Sequence, residues 1–99
     1  MKPVVFHPEA IQELDDAVAY YAERSFKAAS AFEAAIEIGV NSIAQNASRH
    51  AFFCGTSKRA FRLARFPYLI IYEELPGHVW VNAVAHERRH PDYWKNRKA

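Results

Sequence analysis

The chain has 99 residues, of which 51% are hydrophobic and 14% aromatic, a composition that supports a buried core and excludes an intrinsically disordered protein. This length fits one compact unit, and we expect a single domain over residues 1–99. Cys54 is the only cysteine, which excludes an intrachain disulfide and a cysteine-based metal cluster. No apolar run is long enough for a signal peptide or a membrane span, so we expect a cytoplasmic protein without membrane contacts.

Charge is divided unevenly between the two halves of the chain. The net charge is +2, but residues 1–50 carry −3 and residues 51–99 carry +5. Six of the basic residues in the second half are arginines, a bias that predicts an acidic partner, either a nucleic acid or an acidic protein segment. A solvated basic surface without any partner would give the same pattern.

The first half of the chain predicts one strand and two helices. Val4–Phe6 is a short apolar run, and Pro8 then stands where a helix can begin. Ser25 can cap a second helix. Helical spacing of apolar residues defines one face on each helix: Ile11, Leu14, Val18 and Tyr21 on the first, and Ala29, Phe32, Ile36, Val40 and Ile43 on the second. Gly39 lies within the second face and predicts close packing against a neighbouring element.

The second half predicts three strands after a loop over residues 45–57. Residues 60–65 alternate, with Phe61 and Leu63 on one face and Arg62 on the other. Residues 69–72 and 79–85 are rich in β-branched and aromatic side chains, and Pro76-Gly77 between them is a turn signal. We therefore predict an α+β fold: an N-terminal strand, an α-helical hairpin and a three-stranded antiparallel meander, with both helices packed on one face of the sheet.

One motif imitates a zinc site. His86-Glu87-Arg88-Arg89-His90 has the H-E-x-x-H spacing of zinc hydrolases, which requires both imidazoles on one face of a helix. Here the motif directly follows a strand, and Pro91 disfavours helical geometry at His90. We therefore expect neither a metal nor any other cofactor.

Basic and aromatic side chains collect near the predicted strand ends of the second half: Arg62, Arg65, His86, Arg88, Arg89, Tyr93 and Trp94. Arginine forks suit phosphates and carboxylates, and aromatic rings suit stacking on bases. His86 or Tyr93 could transfer protons if the chemistry is RNA cleavage. Alternatively, Tyr93 and Trp94 fold back onto the core while the arginines form surface ion pairs. Cys54 has no histidine–aspartate arrangement near it in the sequence, and we expect it to be structural or incidental.

Four segments in order resemble the RelE/ParE toxin superfamily: Phe6-His7-Pro8-Glu9-Ala10, Tyr20-Tyr21, Arg65-Phe66-Pro67-Tyr68-Leu69-Ile70-Ile71-Tyr72, and Val84 to Trp94. The resemblance spans nearly the whole chain. It implies the toxin of a type II toxin–antitoxin pair, of the plasmid-stabilisation type, that inhibits growth until a cognate antitoxin binds it. It also implies that the toxin–antitoxin complex, and not the toxin alone, binds operator DNA.

The resemblance leaves two mechanisms open. A ParE-like toxin binds and inhibits DNA gyrase, and its target or antitoxin contacts would include Arg62, Arg65, Arg88, Arg89 and Trp94. A RelE-like toxin cleaves messenger RNA on the ribosome, with Arg62, His86, Arg88 and Tyr93 as the catalytic residues. Leu69 stands where RelE-like enzymes carry a further arginine, so transition-state charge would lose one fixed cation. That departure favours the gyrase mechanism. A toxin that has lost its activity and serves only in the complex is a third possibility.

Overall fold

A computed structural model of the chain describes residues 2–53 and 55–97; the expectation for Cys54 lies outside the described residues. The elements in chain order are β1 (Val4–Phe6), α1 (Pro8–Arg24), α2 (Phe26–Gln45), a 3₁₀ turn (Ala47–Arg49), β2 (Arg59–Arg62), β3 (Tyr68–Leu75), β4 (His78–His86) and α3 (Asp92–Lys95). This order confirms the predicted strand, helical hairpin and three following strands.

The sheet has the strand order β1-β4-β3-β2. β2, β3 and β4 form the predicted antiparallel meander, whereas β1 pairs with β4 in parallel, so the sheet is mixed. β1 and β4 are far apart in the chain, with the helical hairpin, β2 and β3 between them, yet β4 lies between β1 and β3 in the sheet. β4 is therefore an interior strand, which explains why its residues Val79, Val81, Ala83 and Ala85 are all buried.

Local hydrogen bonds explain where the two helices begin. The His7 side chain accepts a hydrogen bond from the Glu9 backbone N–H at 3.0 Å, and Pro8 occupies the first helical turn, where no donor is needed. Ser25 interrupts the hairpin with an extended backbone, and its Oγ accepts from the Ala28 N–H at 2.9 Å. The predicted cap at Ser25 is confirmed.

The main core lies between the helical hairpin and one face of the sheet, as predicted. Four of the five residues on the predicted α2 face are buried, and Val40 is half-buried. On α1 the prediction was partly wrong, because Ile11 is 47% exposed and the fully buried positions are Ala10 and Ala17. α1 approaches the sheet closely through these small residues, which leaves Ile11 at the rim of the interface.

Gly39 allows α2 to lie close to the sheet. A Cβ atom at this position would stand 2.8 Å from Ile70 Cδ1 and 3.0 Å from Phe61 Cε1, closer than ordinary carbon–carbon contacts. Ile70 is fully buried and cannot move into solvent. The close packing predicted from a glycine within an apolar helix face is therefore confirmed.

We expect Gly39→Ala to destabilise the protein by about 1 kcal/mol, although alanine is the better helix former. The substitution gains up to about 1 kcal/mol in helix propensity but costs about 1–3 kcal/mol of overpacking against Ile70 and Phe61. Urea unfolding followed by circular dichroism measures the difference. Ser30→Ala, at an exposed α2 position, is the control and should change stability little. A more stable Gly39→Ala variant would contradict close packing at this site.

The face of the sheet that points away from the hairpin is covered by the C-terminal segment. Trp94 in α3 is 2% exposed and packs with Ile71, Ala83 and Ala85, in a second apolar cluster. The side-chain amide of the buried Asn82 donates a hydrogen bond to the Trp94 carbonyl oxygen at 2.8 Å. The predicted polar tail is therefore a docked element, and Trp94 is part of the core.

A buried ion pair closes the edge of β4 that β1 leaves uncovered. β1 reaches only Val79–Val81 of β4. Beyond it, Glu13 Oε1 of α1 accepts from the Val84 backbone N–H at 3.0 Å, and Arg97 donates to the Asn82 carbonyl oxygen at 3.2 Å. Glu13 and Arg97 also bind each other through two hydrogen bonds of 3.0 and 3.1 Å. Side chains thus replace a neighbouring strand here.

Candidate functional site

The loops that carry most of the predicted site residues meet at one end of the sheet. The backbone N–H of Glu87, just after β4, donates to the carbonyl oxygen of Pro67 in the β2–β3 loop at 2.9 Å. The ring of Tyr21, near the end of α1, lies 5.1 Å from that of Phe66 in the same loop. We call this region the basic end and define it by its four exposed arginines: Arg62, Arg65, Arg88 and Arg89.

Arg62 lies where it was predicted, on the sheet face opposite Phe61 and Leu63. Phe61 and Leu63 pack in the core beneath the hairpin, whereas the Arg62 side chain is 66% exposed. Its guanidinium forms an ion pair with the Glu87 carboxylate. A cavity of about 490 Å³ opens beside this pair and is lined by Arg62, Leu63, Ala64, Arg65, Phe66, Pro67 and Glu87. The sequence did not single out Glu87 as a partner of Arg62.

Arg65 has an unusual backbone conformation. The strand predicted over residues 60–65 ends at Arg62, and Arg65 lies in the following loop with a φ of 72°. This left-handed region favours glycine and is uncommon for a residue with a long side chain. It is the only non-glycine residue with positive φ in the part of the chain that the structure describes. The Leu63 backbone N–H donates to the Tyr68 carbonyl oxygen at 3.0 Å, so the chain turns back towards β3 within residues 63–68.

A second cavity, of about 240 Å³, lies between α1 and the ends of β3 and β4. The rings of Tyr68 and His86 are 5.1 Å apart in an edge-to-face arrangement. Tyr93 also lines the cavity, with the Arg89 guanidinium 4.0 Å above its ring. Burial, and to a lesser degree the Glu13 carboxylate, raise the pKa of Tyr93. Tyr93 therefore remains protonated at neutral pH and can donate a proton but not accept one.

The four residues predicted as catalytic do not surround one cavity. His86 and Tyr93 line the 240 Å³ cavity, while Arg62 lines the 490 Å³ cavity beside Glu87. Arg88 is exposed and lines neither of these cavities; its backbone N–H donates to His86 Nδ1 at 3.2 Å. Arg62, Arg65, Arg88 and Arg89, which were predicted to bind a target or an antitoxin, are all exposed.

Trp94 needs correction as a binding residue. A side chain that contacts a target must be accessible, but Trp94 is 2% exposed and its ring lies 5.1 Å from that of Phe53 in the second apolar cluster. The gain from burying a large aromatic surface outweighs any tendency of this segment to remain a solvated tail. This fold-back is the alternative that the sequence left open.

The H-E-x-x-H motif does not form the helix that a zinc hydrolase requires. His86 ends β4, and His90 lies beyond a turn, where its Nδ1 pairs with Asp92 at 3.2 Å. Pro91 follows directly, before α3 begins. Its position agrees with the prediction that it disfavours helical geometry at His90. Within residues 2–53 and 55–97, no three histidine, cysteine, aspartate or glutamate side chains are grouped to hold a metal ion.

We expect purified protein to bind no stoichiometric zinc, because the two histidines of the motif face different surroundings. Elemental analysis of protein prepared without a histidine tag measures this directly. A His86→Ala, His90→Ala variant is the matched sample. Zinc at one equivalent in the parent protein, lost in the variant, would overturn the prediction.

The structure adds an apolar groove on the hairpin that the sequence analysis did not single out. Its floor is formed by Leu14, Val18, Ala19, Ile36 and Val40, and its rim carries three carboxylates, Asp15, Glu33 and Glu37. Val18 and Ile36 belong to the apolar helix faces that were assigned to the core. The spacing of apolar residues along a helix does not distinguish residues that line a groove from residues in the interior. The acidic rim accounts for part of the −3 charge of residues 1–50.

Comparison with known proteins agrees with the fold. Residues 4–91 match the family model described as the ParE toxin of the type II toxin–antitoxin system parDE. Among solved structures, the chain is similar to one described as the chromosomal ParDE toxin–antitoxin system from P. aeruginosa, with a TM-score of 0.75 and 19% sequence identity. The match covers 87% of this chain and 96% of that one. No curated protein sequence matches at a significant level.

The described part of the chain, residues 2–53 and 55–97, contains no helix that is long and apolar enough to cross a lipid bilayer. The family match extends from β1 to the residue that precedes α3 and thus includes every strand and both long helices. It confirms the superfamily resemblance drawn from the four sequence segments. The chain belongs to the ParE toxin family of type II toxin–antitoxin systems.

Proposed function

We propose that this toxin inhibits growth by binding DNA gyrase, and that a cognate antitoxin neutralises it by covering the contact surface. In this proposal the toxin alone does not bind operator DNA, which is contacted only through the toxin–antitoxin complex. The toxin acts as a binding inhibitor and needs neither a catalytic centre nor a cofactor.

One observation carries the choice of mechanism: the candidate catalytic residues are divided between two cavities. Acid–base cleavage of RNA needs a proton donor, a proton acceptor and a cation around one phosphate, within hydrogen-bonding reach. Arg62 belongs to the cavity beside Glu87, and His86 and Tyr93 belong to the other. Leu69, at the position of a further arginine in RelE-like enzymes, is a half-buried member of the second apolar cluster.

The basic end has the properties of a binding surface for an acidic partner. Arg62 at the end of β2 and Arg65, Arg88 and Arg89 on the adjoining loops are exposed, and within the described residues only Arg62 among them has a carboxylate partner. Unpaired guanidiniums steer an oppositely charged protein and accelerate its association. The hydrogen bond from the Glu87 backbone N–H to the Pro67 carbonyl oxygen joins the loops that follow β4 and β2.

Ribosome-dependent RNA cleavage is the alternative function, and one feature favours it. His86, Tyr93 and Arg89 line a common cavity at the end of β4. A protonated tyrosine beside a histidine and a guanidinium could supply an acid, a base and a phosphate contact. In this reading Arg62 would hold the RNA backbone outside the cavity.

We expect the double variant Arg62→Ala, Arg88→Ala to relieve growth arrest on induction while remaining folded. Both side chains are exposed, and surface substitutions usually change stability by about 0.5 kcal/mol or less. Circular dichroism and thermal unfolding check the fold, and growth after induction measures toxicity. The double variant Lys27→Ala, Arg49→Ala, at exposed positions in and beside α2, is the charge-matched control and should stay toxic. A folded double variant that stays fully toxic would exclude the basic end as the toxic surface.

The target is tested with purified components. In the proposed function the parent protein inhibits supercoiling by gyrase, and induced cells filament and mount a DNA-damage response with intact transcripts. Codon-linked breaks in messenger RNA, with normal supercoiling in the purified assay, would support the alternative and reject gyrase. His86→Ala separates the two mechanisms. If the toxin inhibits gyrase, the variant should inhibit it as well as the parent does; if the toxin cleaves RNA, the variant should have lost that activity.

A further inference from the structure

The Arg62 guanidinium is already occupied by a carboxylate of the same chain. Glu87 forms an ion pair with it, and the Glu87 backbone is fixed in place by its hydrogen bond to Pro67. The Glu87 side chain is 28% exposed and the Arg62 side chain 66% exposed, so the pair stands at the mouth of the 490 Å³ cavity. Arg62 is thus accessible to a carboxylate, and in the folded chain the Glu87 carboxylate binds it.

Arg65 lines the same cavity in a conformation that glycine would adopt more easily. A long side chain in the left-handed region carries a cost in backbone strain. Within the described residues, no carboxylate pairs with Arg65, so no ion pair of the folded chain offsets that cost. A residue in a strained conformation without an ion pair to offset the strain is a candidate for function.

From these observations we infer that Arg62 and Arg65 form a carboxylate-binding site for an acidic segment of a protein partner, and that Glu87 is a built-in competitor for it. The partner's carboxylate displaces Glu87 from Arg62 and gains Arg65 as a second contact. This inference rests on the proposed function, because it describes how the basic end recognises its protein partner.

The cavity walls favour a peptide over a nucleic acid. Besides the two arginines and Glu87, the lining is formed by Leu63, Ala64, Phe66 and Pro67. The Phe66 ring lies 5.1 Å from that of Tyr21 and 5.2 Å from that of Phe32, within the core cluster of the hairpin, so it is not free to stack on a base. The Glu87 carboxylate repels every anion that approaches the cavity mouth, and a phosphodiester chain brings several such charges close together, whereas a peptide can bring a single aspartate or glutamate side chain.

Displacement of Glu87 costs little. Ion pairs at the surface contribute only weakly to stability, because water screens both charges and holding the side chains together costs entropy. Glu87 therefore lowers the affinity for every carboxylate by a modest factor and excludes partners that offer a single weak contact. An acidic segment that also reaches Arg65 overcomes the competition.

The test measures binding of a short poly-L-glutamate peptide to the purified full chain at low salt. Glu87→Gln should tighten binding about two- to five-fold, the range that corresponds to loss of one exposed ion pair. Glu37→Gln changes the net charge equally at an exposed site in the hairpin groove, and should change binding much less. Equal effects of the two variants would show a general charge effect and overturn the inference.

Arg65→Gly supplies an independent test, since it removes both the guanidinium and the strain. We expect it to weaken binding of the peptide several-fold while the unfolding midpoint stays unchanged or rises. Unchanged binding would remove Arg65 from the site, and a lowered midpoint would show that its side chain supports the fold. A single-stranded oligonucleotide serves as a second probe. If Glu87→Gln binds the oligonucleotide more tightly than the parent does but binds the peptide equally well, the inference is also rejected.

These outcomes are separable from the target of the toxin. If gyrase is not inhibited but Glu87→Gln selectively tightens peptide binding, the carboxylate site is present and the proposed target is wrong. If gyrase is inhibited but Glu87→Gln and Arg65→Gly bind the peptide like the parent, the toxin function holds and the carboxylate site is rejected.

Discussion

Phe32→Ala is expected to lower the free energy of unfolding by about 3–5 kcal/mol, the range for truncating a buried phenylalanine. Phe32 is fully buried between the hairpin and the sheet. Its ring lies 5.1 Å from that of Tyr21 and 5.2 Å from those of Phe66 and Tyr68. Truncation therefore removes apolar contacts from both α1 and the β2–β3 loop, and leaves a cavity that those rigid elements cannot close.

Denaturant unfolding measures this loss, and α2 provides a matched control. Phe26 begins the same helix and is 85% exposed, so Phe26→Ala should change stability by about 0.5 kcal/mol or less. Both variants replace phenylalanine by alanine in the same helix, so the difference between their free energies of unfolding reports the effect of burial. A change well under 1 kcal/mol for Phe32→Ala would remove Phe32 from the core. A domain of this size has a small stability margin, so the variant is best studied at low temperature.

Trp94→Ala is expected to destabilise the protein by a similar amount, about 3–5 kcal/mol. The ring covers the sheet face opposite the hairpin, and the backbone carbonyl of Trp94 accepts the Asn82 amide. Loss of the ring weakens the docking of α3 and thereby uncovers Ile71, Ala83 and Ala85. We also expect faster hydrogen exchange in residues 92–97 before global unfolding, because this segment opens first.

Circular dichroism is the appropriate measurement of unfolding, because Trp94→Ala removes one of the two tryptophans of the chain and thereby changes the fluorescence signal itself. Phe52→Ala is the control: Phe52 is 57% exposed and lies on the same C-terminal half of the chain. It should lose only its contact with the Arg59 guanidinium, which stands 4.0 Å above the ring. A Trp94→Ala variant as stable as this control would mean that the C-terminal segment is not docked in solution.

The helices were the most predictable part of the fold. Spacing alone located Phe32, Ile36 and Ile43 in the core, and Ser25 located the break between the helices, because both signals act over a few residues. The burial of Ala10 and Ala17 in place of Ile11 was not predictable, since small residues give a weak hydrophobic signal. Their burial follows from how closely α1 approaches the sheet, which is a property of the whole fold.

The site was predictable in composition but not in arrangement. Charge asymmetry indicated the basic end, and strand alternation gave the face of Arg62. The partners of these residues lie far apart in the sequence or across loops, as with Glu87 for Arg62 and Glu13 for Arg97, so no local pattern identifies them. Trp94 near a charged terminus was compatible with a solvated tail and with a docked segment. Only the apolar sheet face that it covers decides between them.

The closure of β4 by Glu13 and Arg97 limits how copies of this molecule can aggregate. Sheets with two open edges can join edge to edge without end, and that geometry leads to fibrils. On one side of this sheet, β1 is only three residues long, and the backbone groups beyond it at Asn82 and Val84 are already bonded to side chains. On the other side of the sheet, part of β2 is already paired with residues 51–53, where the Ala60 backbone N–H donates to the Ala51 carbonyl oxygen at 3.2 Å. Both edges therefore offer few free backbone groups to a strand of another copy, and we expect the fold to resist edge-to-edge polymerisation even when the toxin is free of its antitoxin.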